Sequence, residues 1–127
     1  MNTTNHECYV SLEVAKLLKK AGFDWDTYSA YNKDGMFTDK NRSILTWNDF
    51  ANYYSAPTLD VVQRWLREIK NSHIEISPSS DMSAYIYNIL LPGDKFWLGS
   101  PISYITYEEA QEAGIKKALE KILEKGE

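Results

Sequence analysis

From Pro57 to Lys125 the apolar residues change their period twice, and this limits the fold more than any other feature of the chain. After Thr58, a good helix cap, Leu59, Val62, Trp65, Leu66 and Ile69 recur at helical spacing to about Lys70. "HIEIS" then alternates residue by residue, placing Ile74 and Ile76 on one side and His73, Glu75 and Ser77 on the other. "SPSSD" supplies turn residues, "SAYIYNILL" reads as a long strand, "PGD" turns the chain again and "KFWLGS" reads as a third strand. Thr106 and Glu109 form a T-x-x-E capping box that opens a helix from Tyr107 to Lys125. Its carboxylates Glu108, Glu109 and Glu112 come early and its lysines Lys116, Lys117, Lys121 and Lys125 late, the order that suits the helix dipole. Ala110, Gly114 and Ala118 give this helix a smooth stripe for close approach to a sheet. The pattern predicts α-β-β-β-α, with antiparallel strands near His73 to Ser77, Ala84 to Leu91 and Lys95 to Gly99 and two helices packed on one face.

The first half is less regular. Ser11 caps a helix over Leu12 to Ala21, and Gly22 stands where a left-handed residue ends it. In "YSAYNKDGMFT", Lys33, Asp34 and Gly35 offer turn chemistry between two aromatic segments, which predicts a hairpin. "DKNRS" is a polar loop, and "ILTWNDFANYY" has the mixed period of a short strand followed by a helical turn. At 127 residues, 43% of them hydrophobic, one α+β domain over 1–127 is expected. Residues 1–55 would carry the N-terminal helix and aromatic hairpin, and residues 56–127 the α-β-β-β-α core.

The helices "SLEVAKLLKKAGF" and "APTLDVVQRWLREIKN" raise the question of DNA reading, the second through Arg64, Arg67 and Lys70. A helix-turn-helix joins its helices by three or four residues. Here about 36 residues separate Ala21 from Thr58. Asp60 and Glu68 flank Arg64 at helical spacing, and the net charge of -4 supplies no general attraction to polyanions. A nucleic-acid-binding regulator using Arg64, Arg67 and Lys70 is therefore the alternative reading, and nucleic acid is not the expected partner. The α-β-β-β-α order over Thr58 to Lys125 resembles double-stranded RNA-binding domains. That family grips phosphates with lysines at the start of its last helix, where this chain has "TYEEAQEA", so the resemblance implies the fold and not the function. "SLEVAKLLKKAGF", "SAPTLDVVQRWLREIKN" and "YEEAQEAGIKKALEKI" together resemble a family of small uncharacterised proteins of Bacteroidetes genomes and their prophages. That resemblance implies a phage or mobile-element setting and brings no catalytic residue with it.

"NHECY" groups His6, Glu7 and Cys8, with His73 as a distant fourth, but no paired C-x-x-C or H-x-x-x-H ligands occur, so no metal and no cofactor are expected. One cysteine cannot form an internal disulfide, and neither a membrane-length apolar run nor a secretory signal pattern is present, which predicts a cytoplasmic protein. The commonest nucleotide-binding and serine-hydrolase motifs do not occur, and no catalytic residues are expected. The aromatic content, four Trp, nine Tyr and four Phe, is the more informative feature. With Ile74 and Ile76 facing the helices, His73 and Glu75 lie on the other sheet face, where Tyr85, Tyr87 and Trp97 are expected to join them. That face is either covered by Trp25, Tyr28, Tyr31 and Phe37 or open as a contact platform. The expected role is a non-enzymatic accessory or interaction protein, contacting another protein through these five residues, with a second copy of the chain as a further candidate partner and no membrane involved.

Overall fold

The computed structural model describes residues 8–38 and 45–126. The architecture is α+β, and the chain divides into two compact units, Met1–Leu59 and Asp60–Glu127. His6, Glu7 and the loop "DKNRS" fall outside the described residues.

In the first unit, α1 spans Leu12–Ala21. The Ser11 hydroxyl accepts the Val14 N–H at its start, and Gly22 at φ 94 ends it, letting the Phe23 N–H reach back to the Leu18 carbonyl. The expected hairpin forms from β1, Ala30–Asn32, and β2, Phe37–Thr38, with Gly35 at φ 86 in its turn. The Asn32 carboxamide accepts the N–H groups of Asp34 and Met36 and so holds that turn from inside. A third strand, β3 at Tyr53–Ser55, pairs antiparallel with β1 and gives the order β2-β1-β3. The described residues between Ala21 and Thr58 thus contain a three-stranded sheet of their own. Asn48, in a 3-10 turn at Trp47–Asp49, accepts the Ser55 N–H at 2.7 Å and donates to the Phe23 carbonyl at 3.0 Å. The Lys19 ammonium reaches the carbonyls of Phe50 and Tyr53, each at 2.9 Å, and ties α1 to the start of β3. The aromatics of this unit contact one another: Phe37 lies 5.0 Å from Tyr9 and 5.4 Å from Tyr31 between ring centroids, and Trp47 lies 5.0 Å from Tyr53.

The second unit has the element order expected from the periods. Helix α2, Leu59–Ile69, ends where Asn71 turns to φ 51 and the Ser72 N–H closes back on the Leu66 carbonyl. Strands β4, His73–Pro78, β5, Tyr85–Leu90, and β6, Leu98–Gly99, form an antiparallel sheet in the order β4-β5-β6. Helix α3, Tyr107–Lys125, opens on the expected capping box and packs on β4 and β5. A Cβ on Gly114 would come to 3.1 Å from Cβ and Cγ of Tyr87 and 3.2 Å from a methyl of Ile74, so the helix backbone lies against the sheet at that point. No helix among the described residues is long and apolar enough to cross a membrane.

The register corrects the expected face of two tyrosines. Ile74 pairs with Ile89, Ile76 with Tyr87 and Pro78 with Tyr85, and directly paired residues share a face. Tyr85 and Tyr87 therefore lie with the isoleucines on the α3 side and not with His73 and Glu75. Tyr87 is buried under Gly114 and stacks on Tyr104, and Tyr85 meets Tyr107, the first residue of α3, edge-on. Burial, with Tyr104 and Glu120 nearby, pushes the Tyr87 phenol above its ordinary pKa.

Candidate docking surface

The outer margin of the second sheet begins at a tight turn. Pro92 and Gly93, at φ 90, occupy the centre of a type II turn closed by the Asp94 N–H on the Leu91 carbonyl, while the Asp94 carboxylate accepts the Leu91 N–H. Continued as a plain hairpin, this turn would set Phe96 opposite Ile89. Leu98 stands there instead. The two additional residues are absorbed in a bend at Lys95 and Phe96, which throws the Phe96 side chain outward until 83% of it is exposed.

Beyond Gly99 the ladder opens again at Pro101, Ile102 and Ser103, then Tyr104 rejoins Tyr85 through a pair of 2.7 Å backbone hydrogen bonds. The segment from Phe96 to Tyr107 thus follows the whole of β5, about 20 Å at the usual rise per residue. Along it Phe96, Trp97, Leu98, Ile102, Ile105 and Tyr107 are all exposed, Ile105 to 83%. Isolated exposed apolar residues are ordinary, but six within one edge segment, spread over both of its faces, is a concentration that marks an interaction edge. Pro101 and the interrupted ladder make this edge a poor template for an added strand, so it presents side chains rather than a free row of peptide groups.

Trp97 separates two grooves. One, of about 330 Å³, is lined by Gln63 and Arg67 of α2, His73 and Glu75 of β4, and Leu90 and Trp97. The other, of about 420 Å³, is lined by Asp94, Lys95, Phe96, Trp97, Lys121 and Lys125 among its residues. The first is braced by two side-chain amides, the half-buried Gln63 and the buried Gln111. Gln63 donates to the Ile74 carbonyl, and Gln111 of α3 donates both to Gln63 and to Asp60, each at 2.8 Å. Gln63 and Arg67 are one helical turn apart on the same side of α2, and both line the groove with His73. In the second groove Lys125 lies 3.8 Å from Asp94.

Of the five residues expected on the platform, His73, Glu75 and Trp97 come together in the first groove, and Tyr85 and Tyr87 do not join them. Of the three cations considered for nucleic acid, Arg64 lies 3.8 Å from Glu68, the Lys70 ammonium sits 5.5 Å from the centre of the Trp65 ring, and Arg67 lines the groove. Cys8 is exposed and forms no disulfide, and among the described residues no three His, Cys, Asp or Glu side chains are grouped so that they could hold a metal ion. Sequence reading missed Phe96, Ile102 and Ile105 as surface residues, since their apolar character in a strand-like run reads as core. The turn geometry of "LPGD" set against the register of β5 was the signal that could have found Phe96. No family model, no curated protein and no solved structure matches the chain.

Proposed function

We propose that the protein is a non-enzymatic interaction component that works in the cytoplasm and docks another protein on the edge segment from Phe96 to Tyr107. The clustered exposure of six large apolar side chains along that segment carries the reading. Burying one such side chain contributes about 1.5 to 3 kcal/mol, so a partner that covers several of them gains enough to offset much of the cost of association. A phage or mobile-element setting is proposed with it, on the resemblance of the α1, α2 and α3 segments, and the genes beside this one test that part. The docking reading is tested by affinity capture from the native cell after nuclease treatment, comparing the parent with the Phe96→Ser, Ile105→Ser double variant. Both substitutions fall on exposed side chains and leave the core intact. The expected result is a discrete protein retained by the parent and lost by the variant; equal retention, or none by the parent, overturns the proposal.

A further inference from the structure

Resting on that docking reading, we infer that the two grooves beside Trp97 take an acidic peptide segment of the partner, with an apolar side chain against Trp97 and carboxylates directed to Arg67 on one side and to Lys95 and Lys121 on the other. The charges point this way. The chain as a whole carries -4, yet the residues lining the grooves include four cations, Arg67, Lys95, Lys121 and Lys125, and two carboxylates, Glu75 and Asp94. Positive charge is therefore gathered around the exposed indole while the rest of the chain is net acidic, the local complement of an acidic segment. Lys125 has Asp94 as its partner, whereas no ion pair engages Arg67, Lys95 or Lys121 among the described residues. The Arg67 guanidinium, one helical turn from the anchored Gln63, offers a fork that fits a carboxylate in two-point fashion.

Aromatic rings beside lysines also suit single-stranded nucleic acid, whose bases stack while phosphates meet cations. The interleaved carboxylates favour the peptide. Glu75 in one groove and Asp94 in the other interrupt the continuous positive track that a phosphate backbone requires. A peptide instead offers N–H groups that Glu75 can accept. Trp97 and Phe96 then serve as the apolar anchors of the contact, and the cations set its direction and selectivity.

The test uses the full chain, isotopically labelled, and four short peptides with Leu, Ile, Phe or Trp at the centre and Asp and Glu on both flanks. The comparison probes are the same centres flanked by Lys, an acidic peptide with a Ser centre, and a short oligothymidylate. The expected result is saturable shifts at the Trp97 indole N–H and at the amides of Arg67, Lys95 and Lys121 with at least one acidic peptide. Its affinity should be at least about tenfold above that of its Lys-flanked counterpart and fall with added salt. Trp97→Ala should weaken it at least about tenfold, and Arg67→Gln and Lys121→Gln by about two- to fivefold each. Equal binding of Lys-flanked peptides, shifts at Trp97 from the oligothymidylate, or no shifts from any acidic peptide up to millimolar concentration would each overturn the inference. If the captured partner still depends on Phe96 and Ile105 in that event, the docking reading survives and the ligand chemistry alone is wrong.

Discussion

Gly114→Leu sets two energies against each other at a point where the distances are known. Helix propensity favours the substitution by up to about 1 kcal/mol, because glycine loses more backbone freedom than any other residue. Packing opposes it. The first added carbon alone would lie 3.1 Å from Tyr87 Cβ and Cγ and 3.2 Å from the Ile74 methyl, closer than ordinary carbon contact by several tenths of an ångström. Of those three atoms Tyr87 Cβ cannot move without the β5 backbone, and Cγ moves only by turning a buried ring that stacks on Tyr104. Gly114→Ala is therefore expected to fall within about 1 kcal/mol of the parent, on the destabilising side. Leucine adds three more carbons to a space that does not accommodate the first, so overpacking should reach about 3 kcal/mol and leave a net loss of about 2. Urea melts followed at the backbone amides of Ile74 and Ile89 assign the transition to the unit that carries Gly114. The exposed Lys117→Leu on the same helix serves as control and should stay within about 0.5 kcal/mol. Gly114→Leu as stable as the parent would refute the close approach of α3 to β5.

Three other outcomes follow from particular contacts. Gln63→Ala removes the donor to the Ile74 carbonyl and the acceptor for Gln111, and should cost about 1 to 3 kcal/mol in the same melts; a neutral effect would mean that the amide relay is not formed. Asp81 is held at a pKa of about 2 by hydrogen bonds from the Ser83 hydroxyl and N–H and from the Ser79 hydroxyl. Because its folded pKa is depressed, its contribution is complete above the ordinary value of 3.8 and is lost as pH falls through about 2, so the Ser83 amide resonance should titrate near 2 and not near 3.8. Replacing Arg64, Arg67 and Lys70 together with glutamine should leave duplex DNA and structured RNA binding unchanged at a low level. Three phosphate contacts would instead give a log–log salt slope of about -2.7 that the triple variant flattens.

The elements that were legible in the sequence are those with strong local chemistry. Ser11 and Gly22 bracket α1, the Thr106 and Glu109 box opens α3, and the strict alternation of "HIEIS" marks β4. Strand β3 was not legible because its three residues show no alternation and its support is distant: Asn48 and the partner strand β1 hold it, and neither is visible locally. The third strand of the second sheet begins at Leu98 rather than Lys95, since the two residues left over between turn and ladder bend outward. The candidate site was legible in part. His73, Glu75 and Trp97 do share a groove, but "YIYNIL" places Tyr85, Tyr87 and Ile89 on one face and Ile86, Asn88 and Leu90 on the other. Two such similar faces do not reveal which one α3 covers. Register against β4 and the smooth surface at Gly114 decide it.

The central claim is that another protein is held at the Phe96 to Tyr107 edge, and photocrosslinking from single positions tests it most directly. A benzophenone side chain placed at Phe96 or at Ile105, expressed in the native cell and irradiated, should yield one discrete, nuclease-resistant protein adduct common to both positions. The same group at Tyr28, an exposed aromatic in the first unit, should not yield it. Adducts that vanish on nuclease treatment, or an identical pattern from all three positions, would contradict the account.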